Sequence, residues 1–443
     1  MNIHLIGIGG IGMSGLARCL AAQGHTLTGS DLKPNALTES LGIPVAVGHD
    51  PKNVAGAELV VRSAAVRDDN PEVVAARERN IEVVKYAQML GRLTQDRAGI
   101  AVAGCHGKTT TSSMSAYVLS RAGFEPGFVI GGVVPQLGSN AALGKGRHFV
   151  TEACEYDRSF HNLSPRCAVI TNVEEDHLDY YRDLAEITQA YREFAARASE
   201  IVIGSLDNAG SASIVVERKG RDEAYSIERD ADWRARNVEV KDGRWTFEIV
   251  KYGKPFGEFQ ISVPGIHNVS NALAATAAAT WAGVGREIIQ VALSEFAGAA
   301  RRFQLVGERG GVPVVDDYGH HPTEVQATLR AARERYPERK IWCVFQPHQR
   351  ARTRILLKEF AKAFSDASLV LLPEIYEARD EESKAISSAD LAKLLDQNGK
   401  AALFLPTFDS VVEFLREKAP PDCLVVTMGA GNVDEVARRF LAR

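Results

Sequence analysis

Ala103-Gly-Cys-His-Gly-Lys-Thr-Thr-Thr111 places two glycines, a lysine and three threonines directly after the apolar run Gly99-Ile-Ala-Val-Ala103. The backbone N–H groups of such a turn, opening a helix, attract phosphate. Lys108 is spaced to reach the β- and γ-phosphates of a nucleoside triphosphate, and the Thr109 hydroxyl to ligate Mg²⁺. The spacing departs from Gly-x-x-x-x-Gly-Lys-Ser/Thr, because Val102 stands where the first glycine falls and Gly104 comes two residues later. A bare Gly-Lys-Thr would also suit an ordinary turn before a helix; the preceding strand and the threonine run favour phosphate. Cys105, close to a helix N-terminus, is expected to form thiolate readily and to be alkylated at a rate that ATP slows.

Two acidic segments follow expected strands. Glu152 and Glu155 lie in Thr151-Glu-Ala-Cys-Glu-Tyr-Asp157, and His177 lies in Thr171-Asn-Val-Glu-Glu-Asp-His-Leu-Asp179. Carboxyl ends of strands in open α/β sheets are where ligands bind. Carboxylates there suit a Mg²⁺ shell shared with phosphates and water, whereas His177 also fits a hydrogen-bonded structural role. Further on, Val315-Asp-Asp-Tyr-Gly-His-His-Pro-Thr-Glu324 gathers acids, histidines and a tyrosine before a helix that Pro322 can start. An elaborate helix cap is the plain alternative. Phe345-Gln-Pro-His-Gln-Arg-Ala-Arg-Thr-Arg354 adds three arginines able to clamp carboxylate or phosphate.

These groups need elements to hold them. The N-terminal stretch reads as a strand (Met1–Ile8), a Gly7-Ile-Gly-Gly-Ile-Gly12 turn, a helix (Met13–Gln23) and a strand (His25–Gly29) ending at Ser30-Asp31. This βαβ unit suits a diphosphate and, taken alone, would equally suit NAD. A strand at Ala57–Val61 and a helix at Asn70–Arg79 continue the alternation. Strands at His148–Glu152 and Cys167–Thr171 and a helix at Leu184–Ala198 follow the phosphate turn. Val238/Val240 and Trp245/Phe247/Ile249 flank Asp242-Gly243 as a β-hairpin, and an alanine-rich helix covers Asn271–Ala282. The last segment shows strands at Val312–Asp316, Ile341–Phe345, Leu369–Leu372 and Cys423–Met428, with helices at Thr323–Arg335, Arg354–Phe364 and Val433–Ala442.

The 443 residues leave room for about three domains. An apolar fraction of 45% with 24% charged residues belongs to a globular chain, and a net charge of −4 without a basic stripe argues against nucleic acid. The six cysteines form no Cys-x-x-Cys pair, as in reduced cytosolic proteins. No basic n-region precedes the glycine-broken start and no apolar run spans a bilayer, so a cytoplasmic protein is expected.

Taken in order, the motifs resemble the Mur ligase family, the ATP-dependent amide-bond formers of peptidoglycan synthesis. They are His4-Leu-Ile-Gly-Ile-Gly-Gly-Ile-Gly-Met-Ser-Gly15, Gly104-Cys-His-Gly-Lys-Thr-Thr-Thr111, Glu152-Ala-Cys-Glu155, Thr171-Asn-Val-Glu-Glu-Asp-His177, Gly265-Ile-His-Asn-Val-Ser-Asn-Ala272, Arg301-Arg-Phe303, Asp316-Asp-Tyr-Gly-His-His-Pro322 and Phe345-Gln-Pro-His348. The resemblance spans essentially the whole chain and implies an α/β protein of three domains. These would be a Rossmann-like UDP-sugar domain (residues 1–96), a central P-loop ATPase domain with a parallel sheet and a small antiparallel sheet (97–297), and a C-terminal Rossmann-like amino-acid domain (298–443). It further implies that Gly9, Gly10, Ile11 and Gly12, with Ser30, Asp31 and Ser63, serve the UDP-sugar. Gly104, Cys105, His106, Gly107, Lys108, Thr109 and Thr110 would hold ATP, with His267, Asn268 and Asn271 on the adenine side and Arg302 near the γ-phosphate. Thr109, Glu152 and His177 would hold Mg²⁺, two ions in all. Asp317 would face ATP and amino acid, with Tyr318, His320, His348 and Arg352 on the amino acid and His320 assisting loss of the amine proton. Lys108, His177, Arg302 and His320 form the implied catalytic set.

Within the family the alanine-adding branch is most similar, which implies UDP-N-acetylmuramate and L-alanine as substrates, an acyl-phosphate route, and a monomer or homodimer. Later enzymes of that pathway carry a carbamoylated lysine soon after the Asp-His motif, whereas here no lysine occurs between Lys145 and Lys219. Cys105 replaces the usual Thr or Ser, Gln349-Arg350 lacks an expected aromatic residue, and Arg62 stands where serine is commoner. Competing readings are a Mur-type ligase for another amino acid or for murein tripeptide recycling, a non-catalytic nucleotide-binding module, and an NAD oxidoreductase, which the Gly-Lys-Thr loop disfavours.

Overall fold

The computed structural model of the chain describes every residue except 34, 179, 219, 221, 378–385 and 443. Asp179, the last acid of the second acidic segment, therefore lies outside the described residues. Three sheets follow one another along the sequence. The first contains β1 (Asn2–Ile6), β2 (Thr26–Asp31), β3 (Val45–Val47), β4 (Leu59–Arg62) and β5 (Glu82–Lys85) in the order β3-β2-β1-β4-β5, all parallel. The order reverses beside β1, so its carboxyl end opens onto the crevice of a doubly wound fold. The glycine turn stands there, and the helix Ile11–Ala22 begins straight after it at an uncapped Gly10.

The second sheet contains β6 (Ala98–Ala103), β7 (Gly127–Val134), β8 (Ser139–Ala142), β9 (His148–Glu152), β10 (Cys167–Ile170), β11 (Ile201–Ser205), β12 (Glu223–Ser226), β13 (Trp233–Lys241), β14 (Arg244–Lys251) and β15 (Lys254–Ile261). Its order is β15-β14-β13-β12-β11-β10-β6-β9-β7-β8. The expected antiparallel part runs on from the parallel strands within this one sheet. Asp242-Gly243 and Tyr252-Gly253 turn its hairpins, all four residues at positive φ (50°, 71°, 49° and 74°), as two-residue turns of the favoured twist require. β6 is buried along its whole length between β9 and β10. The two acidic segments therefore emerge on either side of the phosphate turn.

The third sheet contains β16 (Gln304–Arg309), β17 (Val312–Asp317), β18 (Lys340–Phe345), β19 (Leu369–Leu372), β20 (Ala402–Phe404) and β21 (Cys423–Met428), ordered β16-β17-β21-β18-β19-β20. Only β16, an edge strand not expected from the sequence, pairs antiparallel.

Most expected elements recur within a few residues. The phosphate helix starts at Lys108 rather than Ser112, and the alanine-rich helix at Ile266 rather than Asn271. The single helix expected over Arg354–Phe364 is instead two pieces, Arg350–Ile355 and Leu357–Ala363, because Leu356 leaves helical geometry at φ −99°, ψ 18°. The break lets the second piece bury Phe360 and Ala363 while the first follows the His348 loop.

The residues group into two compact units. One comprises Met1–Val238, Thr246–Gln260 and Ser270–Ala297; the other comprises Glu239–Trp245, Ile261–Val269 and Gly298–Arg443. In the first unit the helix Ile11–Ala22 lies on the edge of the second sheet. Asn140 Nδ2 donates to the Ile11 carbonyl at 2.8 Å, and a Cβ added to Gly15 would meet that amide nitrogen at 2.9 Å. One continuous apolar core, from Leu16 and Leu20 through Val129 and Ala141 to Phe194, joins the two sheets.

Candidate functional site

At the end of β6 the chain turns at Gly104 (φ +144°) and Gly107 (φ +80°) before the helix Lys108–Arg121. A side chain at either glycine would collide: a Cβ on Gly104 would lie 1.9 Å from Thr171 Oγ1, and one on Gly107 2.5 Å from Asn271 Oδ1. The loop is pinned from β10. Thr171 Oγ1 and Asn172 Nδ2 donate to the His106 carbonyl at 2.6 and 2.9 Å, and the His106 N–H donates to Asn172 Oδ1 at 2.8 Å. Asn271 Oδ1 accepts from Thr111 Oγ1 at 3.2 Å, so this residue braces the loop.

Lys108 Nζ donates to both oxygens of Glu155, at 3.0 and 2.9 Å, and to the Gly104 carbonyl. Burial alone would lower the Lys108 pKa; the Glu155 carboxylate outweighs it and holds the ammonium above the ordinary lysine value. Glu155 is 2% exposed, so this is a desolvated ion pair at the loop mouth. Tyr181 Oη donates to the Glu155 carbonyl at 2.5 Å and fixes the turn that presents it. Glu155, Asp176 and His177 bring their ligating atoms within 4.8 Å of one another. His177 Nε2 stands 3.6 Å from Glu155 Oε1 and 3.7 Å from Asp176 Oδ2, and His177 takes a positive φ of 54° to do so. Two carboxylates and an imidazole suit a hard divalent cation that keeps waters and phosphate oxygens. Glu152 is engaged separately, Oε1 accepting from the Gly131 N–H at 2.6 Å. Asp176 was not singled out from the sequence; its place beside His177 was the available signal.

Cys105 departs from expectation. Its thiol is buried, and burial first, then the Glu155 charge, raise its pKa far above the usual thiol value against partial opposition from Lys108. Its Sγ is occupied by Glu174, accepting from the N–H at 3.2 Å and donating to the carbonyl at 3.4 Å. Burial therefore opposes the thiolate that a helix terminus would favour.

In the first sheet the Ser30 carbonyl accepts from the N–H groups of Gly7 and Ile8, at 2.8 and 3.1 Å. Asp31 Oδ2 accepts from the Gly9 N–H at 2.8 Å, and Asn35 Nδ2 donates to the Gly9 carbonyl at 3.1 Å. The Ser30 hydroxyl points inward and donates to the buried Glu72 at 2.6 Å. Burial would raise the Glu72 pKa, yet the neighbouring His4 imidazole and hydrogen bonds from Ser30 and Asn53 bring it down to about 2. Ser63 continues from β4 with its Cβ 3.0 Å from where a Gly7 side chain would begin. Arg62 is buried and holds the following loop through the Val66 carbonyl and Asp68.

In the second unit Asp316 and Asp317 end β17. Asp316 binds Arg301 Nε at 3.0 Å and Thr427 Oγ1 at 2.6 Å, and burial pushes its pKa up to about 6 despite that arginine. Arg301 also donates to the Gly429 and Gly431 carbonyls, fixing the loop after β21. Asp317 gives both oxygens to backbone, accepting from Phe303 and Gly319 N–H at 2.8 and 2.7 Å, and burial raises its pKa. Arg301 and Arg302 stack on Tyr318 at 5.0 and 5.4 Å from the ring centre. The helix-cap alternative is realised in part: His321 caps Pro322–Arg335 with Glu324 in a capping box. His320 Nδ1 faces two acceptors, the Tyr318 carbonyl at 3.1 Å and Glu324 Oε2 at 3.5 Å, which favours the tautomer with Nε2 as the basic nitrogen. His348 lies 5.7 Å from the His320 ring, stacks on Tyr376 at 5.6 Å and meets Arg352 at 3.4 Å. Arg350 binds Glu377 through two nitrogens, at 2.9 and 2.8 Å. His267 lines a cavity of about 660 Å³ with Gly265, Thr323, Arg330 and Asp366, whereas Asn268 donates to its own turn at the Pro264 carbonyl, 2.6 Å away.

Comparison with known proteins agrees along the chain. Family models described as the Mur ligase family catalytic domain, the Mur ligase middle domain and the Mur ligase glutamate ligase domain match residues 2–98, 102–279 and 301–431. A UDP-N-acetylmuramate–L-alanine ligase of Caldanaerobacter subterraneus subsp. tengcongensis is 42% identical over 99% of this chain and 97% of its own length. One from Carboxydothermus hydrogenoformans is 43% identical over 100% and 97%. Among solved structures, the UDP-N-acetylmuramate-alanine ligase of Thermotoga maritima superimposes with a TM-score of 0.86 at 29% identity, covering 100% of this chain and 98% of that one. A murein peptide ligase of Psychrobacter arcticus gives 0.74 at 26%, with the same coverage. With the glycine turn, the phosphate loop and the histidine cluster in the order of three successive family domains, this chain belongs to the Mur ligase family.

Proposed function

We propose that this chain is an ATP-dependent ligase that joins L-alanine to the lactyl carboxylate of UDP-N-acetylmuramate, a peptidoglycan-precursor step, releasing ADP and phosphate. The single observation that carries the phosphoryl chemistry is the buried Lys108–Glu155 pair across the mouth of the Gly104–Lys108 loop. The substrates follow from relatives above 40% identity that share the whole length and carry that name. The lysine-free stretch from 146 to 218 agrees with the alanine-adding branch.

In this reading residues 1–96 bind the UDP-sugar, 97–297 bind ATP and 298–443 bind the amino acid. Gly9, Gly10, Ile11 and Gly12 form the turn for the diphosphate: Ile11 and Gly12 offer backbone N–H groups, while the Gly9 and Gly10 N–H groups hold the turn through Asp31 and Gly7, with Ser63 beside them and Ser30 shaping it. Gly104–Thr110 cradle the triphosphate; His267 lies on the adenine side, Asn268 and Asn271 act through the backbone they brace, and Asp317 through the loop it holds. Glu155, Asp176 and His177 form a donor set that fits one Mg²⁺, and Thr109 and Glu152 would hold the other, two ions in this reading. Magnesium, when bound, neutralises charge on the phosphates. Lys108, held cationic, stabilises the transferring phosphoryl group, and Arg302 is a second cation for the γ-phosphate. The lactyl carboxylate oxygen attacks the γ-phosphorus; ADP leaves; the α-amine of alanine then attacks the acyl carbon and phosphate leaves. His320 Nε2 takes the amine proton, and Tyr318, His348 and Arg352 orient the amino acid. The protein acts in the cytoplasm, as a monomer or homodimer.

Carboxylate-¹⁸O substrate tests the route. One labelled oxygen should appear in the released phosphate and the other in the new amide. Unlabelled phosphate alongside amide product would refute the acyl-phosphate path.

A further inference from the structure

Tyr86 opens the helix Tyr86–Thr94 after β5, yet its ring reaches back over the glycine turn. A Cβ added to Gly12 would lie 3.0 Å from both its Cζ and its Oη. The absence of a side chain at Gly12 therefore makes room for this phenol at the start of the helix Ile11–Ala22. That helix lies on the edge of the second sheet through Asn140 and Gly15. The phenol also feels the second sheet: burial first, then the Glu152 carboxylate, raise its pKa above the ordinary tyrosine value, so it stays a donor. Three other tyrosines of this unit spend their hydroxyls. Tyr117 engages Glu295, Tyr181 the Glu155 carbonyl and Tyr252 Glu223. The Tyr86 hydroxyl has no hydrogen-bond partner among the described residues, and the side chain is half-buried, not sealed.

We infer that Tyr86 is a substrate-binding residue of the nucleotide-sugar site, donating its hydroxyl to an oxygen of the muramoyl part of the substrate. The inference rests on the ligase reading above. A substrate whose diphosphate lies on Gly9–Gly12 and whose carboxylate must reach the phosphate loop has to pass the start of the helix Ile11–Ala22, where the Tyr86 hydroxyl stands beside Gly12. The role is chemically specific, because phenylalanine would keep the packing against Gly12 and lose only the donor.

Tyr86→Phe separates the possibilities. The affinity for UDP-N-acetylmuramate and its KM should weaken about fivefold, the loss of one neutral hydrogen bond. The affinity for UDP alone, KM for ATP and L-alanine, and the thermal midpoint should not move. Equal affinity for UDP-N-acetylmuramate in both proteins would overturn the inference. So would an equal weakening of UDP, which would assign Tyr86 to the turn, or a change confined to the Mg²⁺ requirement, which would assign it to Glu152. If the unsubstituted protein does not turn over UDP-N-acetylmuramate at all, the ligase reading itself fails, and the UDP-only arm still reports whether the glycine turn binds nucleotide.

Discussion

Lys108 and Glu155 form the pair on which the site depends. Removing one partner of a buried ion pair leaves the other charge without compensation, at about 3–5 kcal/mol. In the proposed mechanism the lysine also supplies charge to the phosphoryl transition state. Lys108→Ala should therefore cut phosphate release by about a thousandfold or more, with the thermal midpoint lowered as well; near-normal turnover would remove Lys108 from the chemistry. The same residue shows what spacing can and cannot tell. Backbone donors with a lysine at a helix start have few uses other than phosphate, and the strand, glycine turn and helix around Gly-Lys-Thr were legible. The partner was not, because Glu155 lies 47 residues away and only the β6–β9 pairing brings it near. Cys105 shows a related difference: proximity to a helix end is readable in sequence, and burial is not. Ser30 likewise had the right position, but its hydroxyl faces Glu72.

At the scale of elements, strands and their carboxyl ends were readable from apolar runs ending in polar clusters, and these ends are where the site stands. What sequence left open was sheet order. Placing β6 between β9 and β10 turns two separated acidic segments into two walls of one loop. The break at Leu356 and the edge strand β16 carry no strong local signal; tertiary packing and sheet pairing decide them. The loop between the walls is tight, and Gly104 tests it. Alanine there would need φ near +144° and would force Thr171 Oγ1 aside from 1.9 Å. Because Thr171 also pins the His106 carbonyl, Gly104→Ala should weaken ATP binding at least about tenfold, measured by calorimetry, while UDP binding stays intact. Unchanged ATP affinity would show that the loop does not cradle phosphate.

For the whole molecule, the family-like order of motifs was the most legible feature, since motifs individually modest become specific in sequence. The substrate identity is the part that geometry alone does not supply, because the cluster of Tyr318, His320, His348 and Arg352, proposed to take the amino acid, offers charge and aromatic faces that would suit many amino acids. The most direct measurement is phosphate release from ATP and Mg²⁺ with UDP-N-acetylmuramate, with and without each amino acid in turn. The account predicts release only when all three substrates are present, fastest with L-alanine. Release that is faster with another amino acid, or absent in every combination while ATP still binds, would contradict it.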